Sequence, residues 1–398
     1  MRSPRSCSKS GVPRDTNRIA RLLAGVIYTL AALPVLATPW RPADDATVLV
    51  QVPPRNVTSP LAIAERDYAA NPGDARLVMG VVQALTDAGR RAADQRYFGR
   101  AEAILRRFQA TQPLTTELQV ASADILQHRH DYDAARQTLD AVLRTAPEAV
   151  QPRLMRAQLN LAQGRFDEAR RDCLALLRRS ALGSACLAQM LGMTGDLERG
   201  QALLLREAGD HGNPAVRSWI YTTLADMAER RGDPVALGWL ERAIAADPDD
   251  QYARLALADA YLERSDLPAA ARTVRQGPLS DAALLRLAII EARRATPGVA
   301  GREVGQRFAE AQARGETIHL RDLARYRLEV LRDSRGALDA AVRNFETQKE
   351  PIDVHILLYA ARAANDVRAI QRIAIWQHTT HYEDCALAPF LAWAESRT

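Results

Sequence analysis

The chain has 398 residues, with 53 Lys and Arg against 48 Asp and Glu, 47% hydrophobic residues and only 5% aromatic ones. Arg2, Arg5, Lys9, Arg14, Arg18 and Arg21 stand against the single Asp15 in the first 37 residues, so the whole formal charge of +5 lies there. The remaining chain is neutral overall, and the computed basicity gives no ground for a nucleic-acid partner.

Taken in chain order, the basic leader runs into LLAGVIYTLAALPVLA at residues 22–37, sixteen residues without a charge. A basic segment, a short apolar run and a small-residue ending are the build of a secretory signal peptide. A membrane span wants nearer twenty apolar residues, so cleavage after Ala37 is the preferred reading and a retained inner-membrane anchor the alternative. The expected location is therefore the periplasm, with membrane contact only through an uncleaved leader. Pro42, Pro53, Pro54 and Pro60 mark residues 38–60 as an extended linker.

Beyond it the sequence repeats. Prolines recur at Pro113, Pro147, Pro214 and Pro248, spaced by 34, 67 and 34 residues. A small-plus-polar pair recurs as Ala123-Asp124, Ala157-Gln158, Ala188-Gln189, Ala225-Asp226 and Ala258-Asp259, at gaps of 34, 31, 37 and 33. About seven residues later each is followed by a turn signal: His130-Asp131, Gly164-Arg165, Gly195-Asp196, Gly232-Asp233 and Ser265-Asp266. Such a turn stops one helix and offers an aspartate to cap the next. A second small residue, Ala135, Ala169, Gly200 or Ala270, then comes one helical turn into the following helix, where it lets two helices approach closely.

These columns resemble the tetratricopeptide repeat. The strongest match is QYARLALADAYLERSDLPAAARTV at residues 251–274, followed by GRFDEARRDCLALL at 164–177. Residues 116–277 carry five such repeats, 61–115 a divergent one, and 278–398 degenerate helical pairs. Tryptophan is missing from its usual first-helix position, and Gly200 and Leu237 replace the second-helix alanine. As a whole the chain is similar to exported bacterial tetratricopeptide proteins. The resemblance implies an all-α fold, a right-handed α-solenoid of stacked antiparallel helix pairs whose first helices line a concave face. It further implies that the polar residue after each small alanine points into that groove, giving the row Asp124, Gln158, Gln189, Asp226 and Asp259, with Trp219 and Tyr252 sharing the surface. An acidic and amide row suits an extended peptide with basic or amide groups, or a partner helix, better than an acidic tail.

Candidate chemistry outside the groove is sparse. Cys173 and Cys186 sit level across one predicted helical hairpin, where either a disulfide or two buried thiols fits an oxidising compartment. Cys385 is then an odd thiol. His378, His381, Glu383, Asp384 and Cys385 form the one cluster with metal-ligand residue types, so a metal or small-molecule binding accessory protein is the alternative function. His128 and His130 read as a capping turn, and Asp226 with Glu229 as a solvated pair on one helix face. No phosphate loop, nucleophile elbow or zincin motif is present, so the expectation is a non-enzymatic interaction scaffold without a cofactor, binding a protein or peptide in its concave face.

Overall fold

The computed structural model describes residues 58–180, 182–208, 212–296, 298–314 and 320–397. The expected signal segment and nearly all of the expected linker lie outside the described residues. A lead helix α1 (Pro60–Ala70) is followed by nine antiparallel hairpins. The first five are α2 (Ala75–Ala92) with α3 (Gln95–Gln109), α4 (Thr116–His128) with α5 (Tyr132–Thr145), α6 (Val150–Ala162) with α7 (Phe166–Leu176), α8 (Leu182–Met193) with α9 (Leu197–Glu207), and α10 (Pro214–Arg230) with α11 (Ala236–Ala246). The next four are α12 (Gln251–Glu263) with α13 (Leu267–Arg275), α14 (Asp281–Arg293) with α15 (Val299–Ala313), α16 (Leu320–Arg325) with α17 (Ser334–Thr347), and α18 (Pro351–Ala363) with α19 (Val367–Thr380). A final short helix, α20 (Ala388–Glu395), ends the array. Among the described residues there is no strand, and no helix is long and apolar enough to cross a membrane. First helices touch first helices of the next hairpin, which makes an α-solenoid with its even-numbered helices, α2 to α18, on the inner side.

One local device makes every hairpin. Each inner helix ends on a residue with left-handed backbone: Ala93, His130, Gly164, Gly195, Gly232, Ser265, Ala295, Arg332 and Asn365. Such a residue turns the chain out of the helix and satisfies its last carbonyls, as Asp131 N–H does by donating to Leu126 O at 2.9 Å. The residue after it is usually aspartate, whose carboxylate accepts the free amide of the next helix. Asp94, Asp131, Asp266, Asp333 and Asp366 all do so. The left-handed turn thus recurs at Ala295, Arg332 and Asn365, with the aspartate cap kept after the last two, in a region where the sequence shows only degenerate pairs.

The small residues pack the hairpins. Ala123, Ala157, Ala188, Ala258 and Ala288 are buried, as are Ala135, Ala169, Ala270 and Ala337 on the outer helices. Gly200 is required in that column, because a Cβ there would stand 2.6 Å from the Ala188 carbonyl oxygen. Cys173 and Cys186 are joined across the α7–α8 connection, with Cα atoms 5.3 Å apart. Arg153 and Arg156 of α6 converge on the buried Asp172 of α7, and Arg156 also reaches Asp140 of α5, tying two hairpins together.

The eighth hairpin departs from the rest. A π-helical turn at Tyr326–Val330 adds one residue, so Ala324 precedes its left-handed Arg332 by eight positions where Ala288 precedes Ala295 by seven. The inserted residue keeps Ala324 buried and carries Arg325 inward.

The C-terminal hairpins return onto the earlier ones. Lys349 N–H, in the α17–α18 connection, donates to Ala162 O at 2.7 Å, and Gln348 Nε2 meets His130 Nδ1 at 2.8 Å. Trp376 packs on Phe166, His381 on Gly195, and the Arg230 guanidinium lies 5.1 Å from the Tyr382 ring centre. The last two hairpins therefore run along the turns of the second, third, fourth and fifth, and the open groove expected from the repeats is partly roofed by the chain itself.

Candidate functional site

Between the inner helices and this returning segment lies a cavity of about 630 Å³. Gln158, Gln189, Asp226, Asp259, Trp219 and Tyr252 all line it. Asp124 does not; its carboxylate is engaged by Arg90 of α2 and lies 3.8 Å from His128 Nε2. The cavity opens, through His130, Asp250, Tyr252, Leu255 and Gln348, into a wider funnel of about 2150 Å³ bordered by arginines and carboxylates in comparable number.

The acidic members of the row do not face a ligand unpaired. Asp259 takes a two-pronged contact from Arg325, both bonds 3.1 Å, and a third bond from Arg286 at 2.5 Å. Burial works against its ionisation, but these two guanidiniums outweigh it and hold the carboxyl below its ordinary value. Asp226 is 2.9 Å from Arg230 one turn along α10, and its carboxyl is nonetheless raised, by burial first. Arg230 is itself buried and donates to Gly192 O at 2.7 Å. The expected acidic stripe is therefore an internal ion-pair ladder.

What the row leaves open are its amides. Gln158 Nε2 and Gln189 Oε1 are both buried and have no partner in the protein, one a donor and the other an acceptor on adjacent inner helices. Buried amide atoms left unbonded cost free energy, on the order of 1–3 kcal/mol each, until something supplies the complement.

Sequence reading missed four contributors. Glu229 and Glu263, each at the inner end of its helix, line the cavity with their carboxyls within hydrogen-bonding reach of one another. Desolvation in the groove, and next the facing Glu263, push Glu229 up to about 9. Glu229 is exposed and lines the cavity on the same helix face as Asp226. His355 of α18 forms the opposite wall, its Nε2 2.6 Å from Asp384 Oδ2, which also accepts from Tyr382 Oη at 3.1 Å. Burial alone would lower His355, but the bond and charge of Asp384, reinforced by Glu263 and Asp226, raise it. Arg325 is the fourth. Its signal was present in the sequence as Ala324-Arg325, a small-plus-polar pair 66 residues after Ala258-Asp259, displaced by the π turn.

The C-terminal cluster does not form a metal site. His378 is exposed on the last turn of α19, and His381 is the left-handed residue that ends that helix. Asp384 is committed to His355, and none of the described cysteines is a free thiol, which removes Cys385 as a thiolate ligand and corrects its reading as an odd thiol. Among the described residues no three His, Cys, Asp or Glu side chains are placed to hold a metal.

The tetratricopeptide repeat profile matches residues 120–184 and 222–276. Cellulose synthase operon protein C of Komagataeibacter xylinus is 32% identical over 127 residues, 31% of this chain; the matched stretch spans a tenth of that protein's length. Of solved structures, a human IFIT1 dimer with PPP-AAAA is 13% identical, covering 78% of this chain and 74% of that one at a TM-score of 0.46. A tetratricopeptide repeat protein from Parabacteroides merdae is 11% identical, covering 75% and 89%, at 0.30. Residues 120–184 and 222–276 therefore carry tetratricopeptide repeats, and the same hairpin recurs on both sides of them in one α-solenoid, an architecture that agrees with an interaction scaffold.

Proposed function

We propose that this chain is a non-enzymatic scaffold whose concave interior holds an extended peptide segment of a partner protein. The observation that carries this is the buried, unbonded pair Gln158 Nε2 and Gln189 Oε1 in one row of the cavity wall. A peptide backbone presents an acceptor and a donor in alternation, which is the complement of that pair. A whole partner helix, 10–12 Å across, suits the cavity less well, because the Gln348–Lys349 connection roofs it. Trp219 and Tyr252 add flat apolar surface on which a side chain can lie.

The similarity to cellulose synthase operon protein C involves repeat sequence and supports a scaffold, not a synthase. Together with the apolar leader at residues 22–37, it favours a place in assembling an envelope component. The test is selection of random displayed peptides on the full chain, repeated with the variant Gln158→Leu, Gln189→Leu. Selected peptides should bind the variant at least tenfold more weakly, about the loss of one to two hydrogen bonds. Equal binding to both proteins would place the peptide elsewhere and reject the reading.

A further inference from the structure

The cavity wall carries seven carboxylates, counting Asp226, Asp259, Glu229 and Glu263, against four guanidiniums. The cations are spoken for: Arg230 by Asp226 and Gly192 O, Arg286 and Arg325 by Asp259, and Arg321 by Asp353 and Glu350. Asp250, Asp322, Glu229 and Glu263 have no such partner among the described residues, and of these Glu229 and Glu263 face each other. Among the described residues no Arg, Lys or His side chain forms an ion pair with either, and each keeps more than a third of its surface open to the cavity. They come from neighbouring inner helices, α10 and α12, and face each other in a space that the returning α18 borders with His355 and Tyr359.

Two facing carboxyl groups with no cation between them must share a proton, an arrangement that folding alone does not explain. The same wall holds the unbonded Gln158 and Gln189 amide atoms, and Arg286, which is nine-tenths buried, keeps an unbonded Nε. Amide groups and an open Arg Nε suit a peptide backbone; an unpaired carboxylate pair suits a side-chain cation. We propose that Glu229 and Glu263 seat the lysine or arginine side chain of the extended peptide held in this cavity. The inference rests on the peptide reading above and adds a residue-level specificity to it.

The chemistry is charge-assisted hydrogen bonding from an ammonium or guanidinium to two carboxylates, in a cavity whose own guanidiniums are each already paired with a carboxylate. The groups around the pair are Asp226 and Arg230 on α10, His355 and Tyr359 on α18, and Asp384 beyond them. None of these supplies an unpaired positive charge, because Arg230 and His355 are each bonded to a carboxylate. Seating a cation would draw Glu229 back toward its ordinary ionisation, so binding releases a proton and tightens as pH rises toward 9.

The experiment uses the full chain and four peptide libraries of equal length, random except for a fixed central lysine, arginine, citrulline or norleucine, with free spermidine as a fifth probe. The expected result is at least tenfold tighter binding of the lysine and arginine libraries than of the neutral ones. That preference should disappear in Glu229→Gln, Glu263→Gln while residual peptide binding persists. Thermal unfolding of this variant at neutral pH should stay close to that of the unaltered chain, since Glu229 already holds its proton there. Binding of all four libraries without regard to charge overturns the cation seat and leaves the peptide reading intact. Spermidine binding with no library bound overturns the peptide as the source of the cation, and binding of none of the five probes overturns both readings.

Discussion

Ala295 holds a φ of 53° at the end of α14, a conformation in which its Cβ crowds the following carbonyl, and Ala93 does the same at the end of α2 with a φ of 48°. Glycine meets no such penalty, so Ala295→Gly should stabilise the protein by about 0.5–1 kcal/mol, measured as a higher midpoint in urea. A lower midpoint would mean that the turn is not left-handed. Charge gives a second prediction at this scale. Glu229 has a higher pKa in the folded chain than its ordinary 4.5, and His355 a higher one than its ordinary 6.5, so the folded state binds more protons than the unfolded one across the window from 4.5 to about 9. Stability should therefore fall as pH rises through that window, and Glu229→Gln should flatten the fall; an unchanged slope would clear this carboxyl of responsibility. Gln158, Gln189, Asp226 and Asp259 were legible in the sequence, because an alanine before each polar residue fixes its direction, whereas Asp124 was misplaced. What was not legible is the pairing of the inner row. Arg286 and Arg325 reach Asp259 from helices 27 and 66 residues away, and no local pattern records that.

The helical hairpin was the most legible element, since spacing, turn aspartate and small residues all point to one geometry. Legibility failed at four turns whose left-handed residue is not glycine, although His130 and Ser265 were read as turns. Ala93, Ala295, Arg332 and Asn365 serve in the left-handed position without announcing it, so the outer repeats read as degenerate although their turns are the same. The π turn in the eighth hairpin hid a further inward residue by shifting the count by one. At this scale the third and fourth hairpins are also stapled by Cys173–Cys186, which closes a loop of 13 residues. Reduction, or Cys173→Ser with Cys186→Ser, should cost about 3 kcal/mol in chemical denaturation. A change below a few tenths would show that packing between α7 and α8 holds that junction without the disulfide.

At the scale of the whole molecule, the sequence suggests an open array, and the chain instead winds back on itself. The contacts that do this join residues 186 to 218 positions apart through ordinary side chains, Gln348, Lys349, His130 and Tyr132. Periodicity describes how each repeat sits on its neighbour and is silent about contacts a full turn of the array away. That return converts a groove into a cavity of a size usual for a small ligand or a short peptide. It also places His355 and Tyr359 opposite Glu229 and Glu263. The most direct test is residue-resolved amide hydrogen exchange at Lys349, whose N–H bonds only across the molecule, to Ala162 O. The account predicts that this amide is protected in the full chain and exposed in Gly164→Leu, whose side chain would collide with Lys349 where a Cβ alone already stands 2.6 Å from its Cδ. Exchange at Lys349 as fast as in an open loop, in the unaltered chain, would contradict the closed array and with it the cavity.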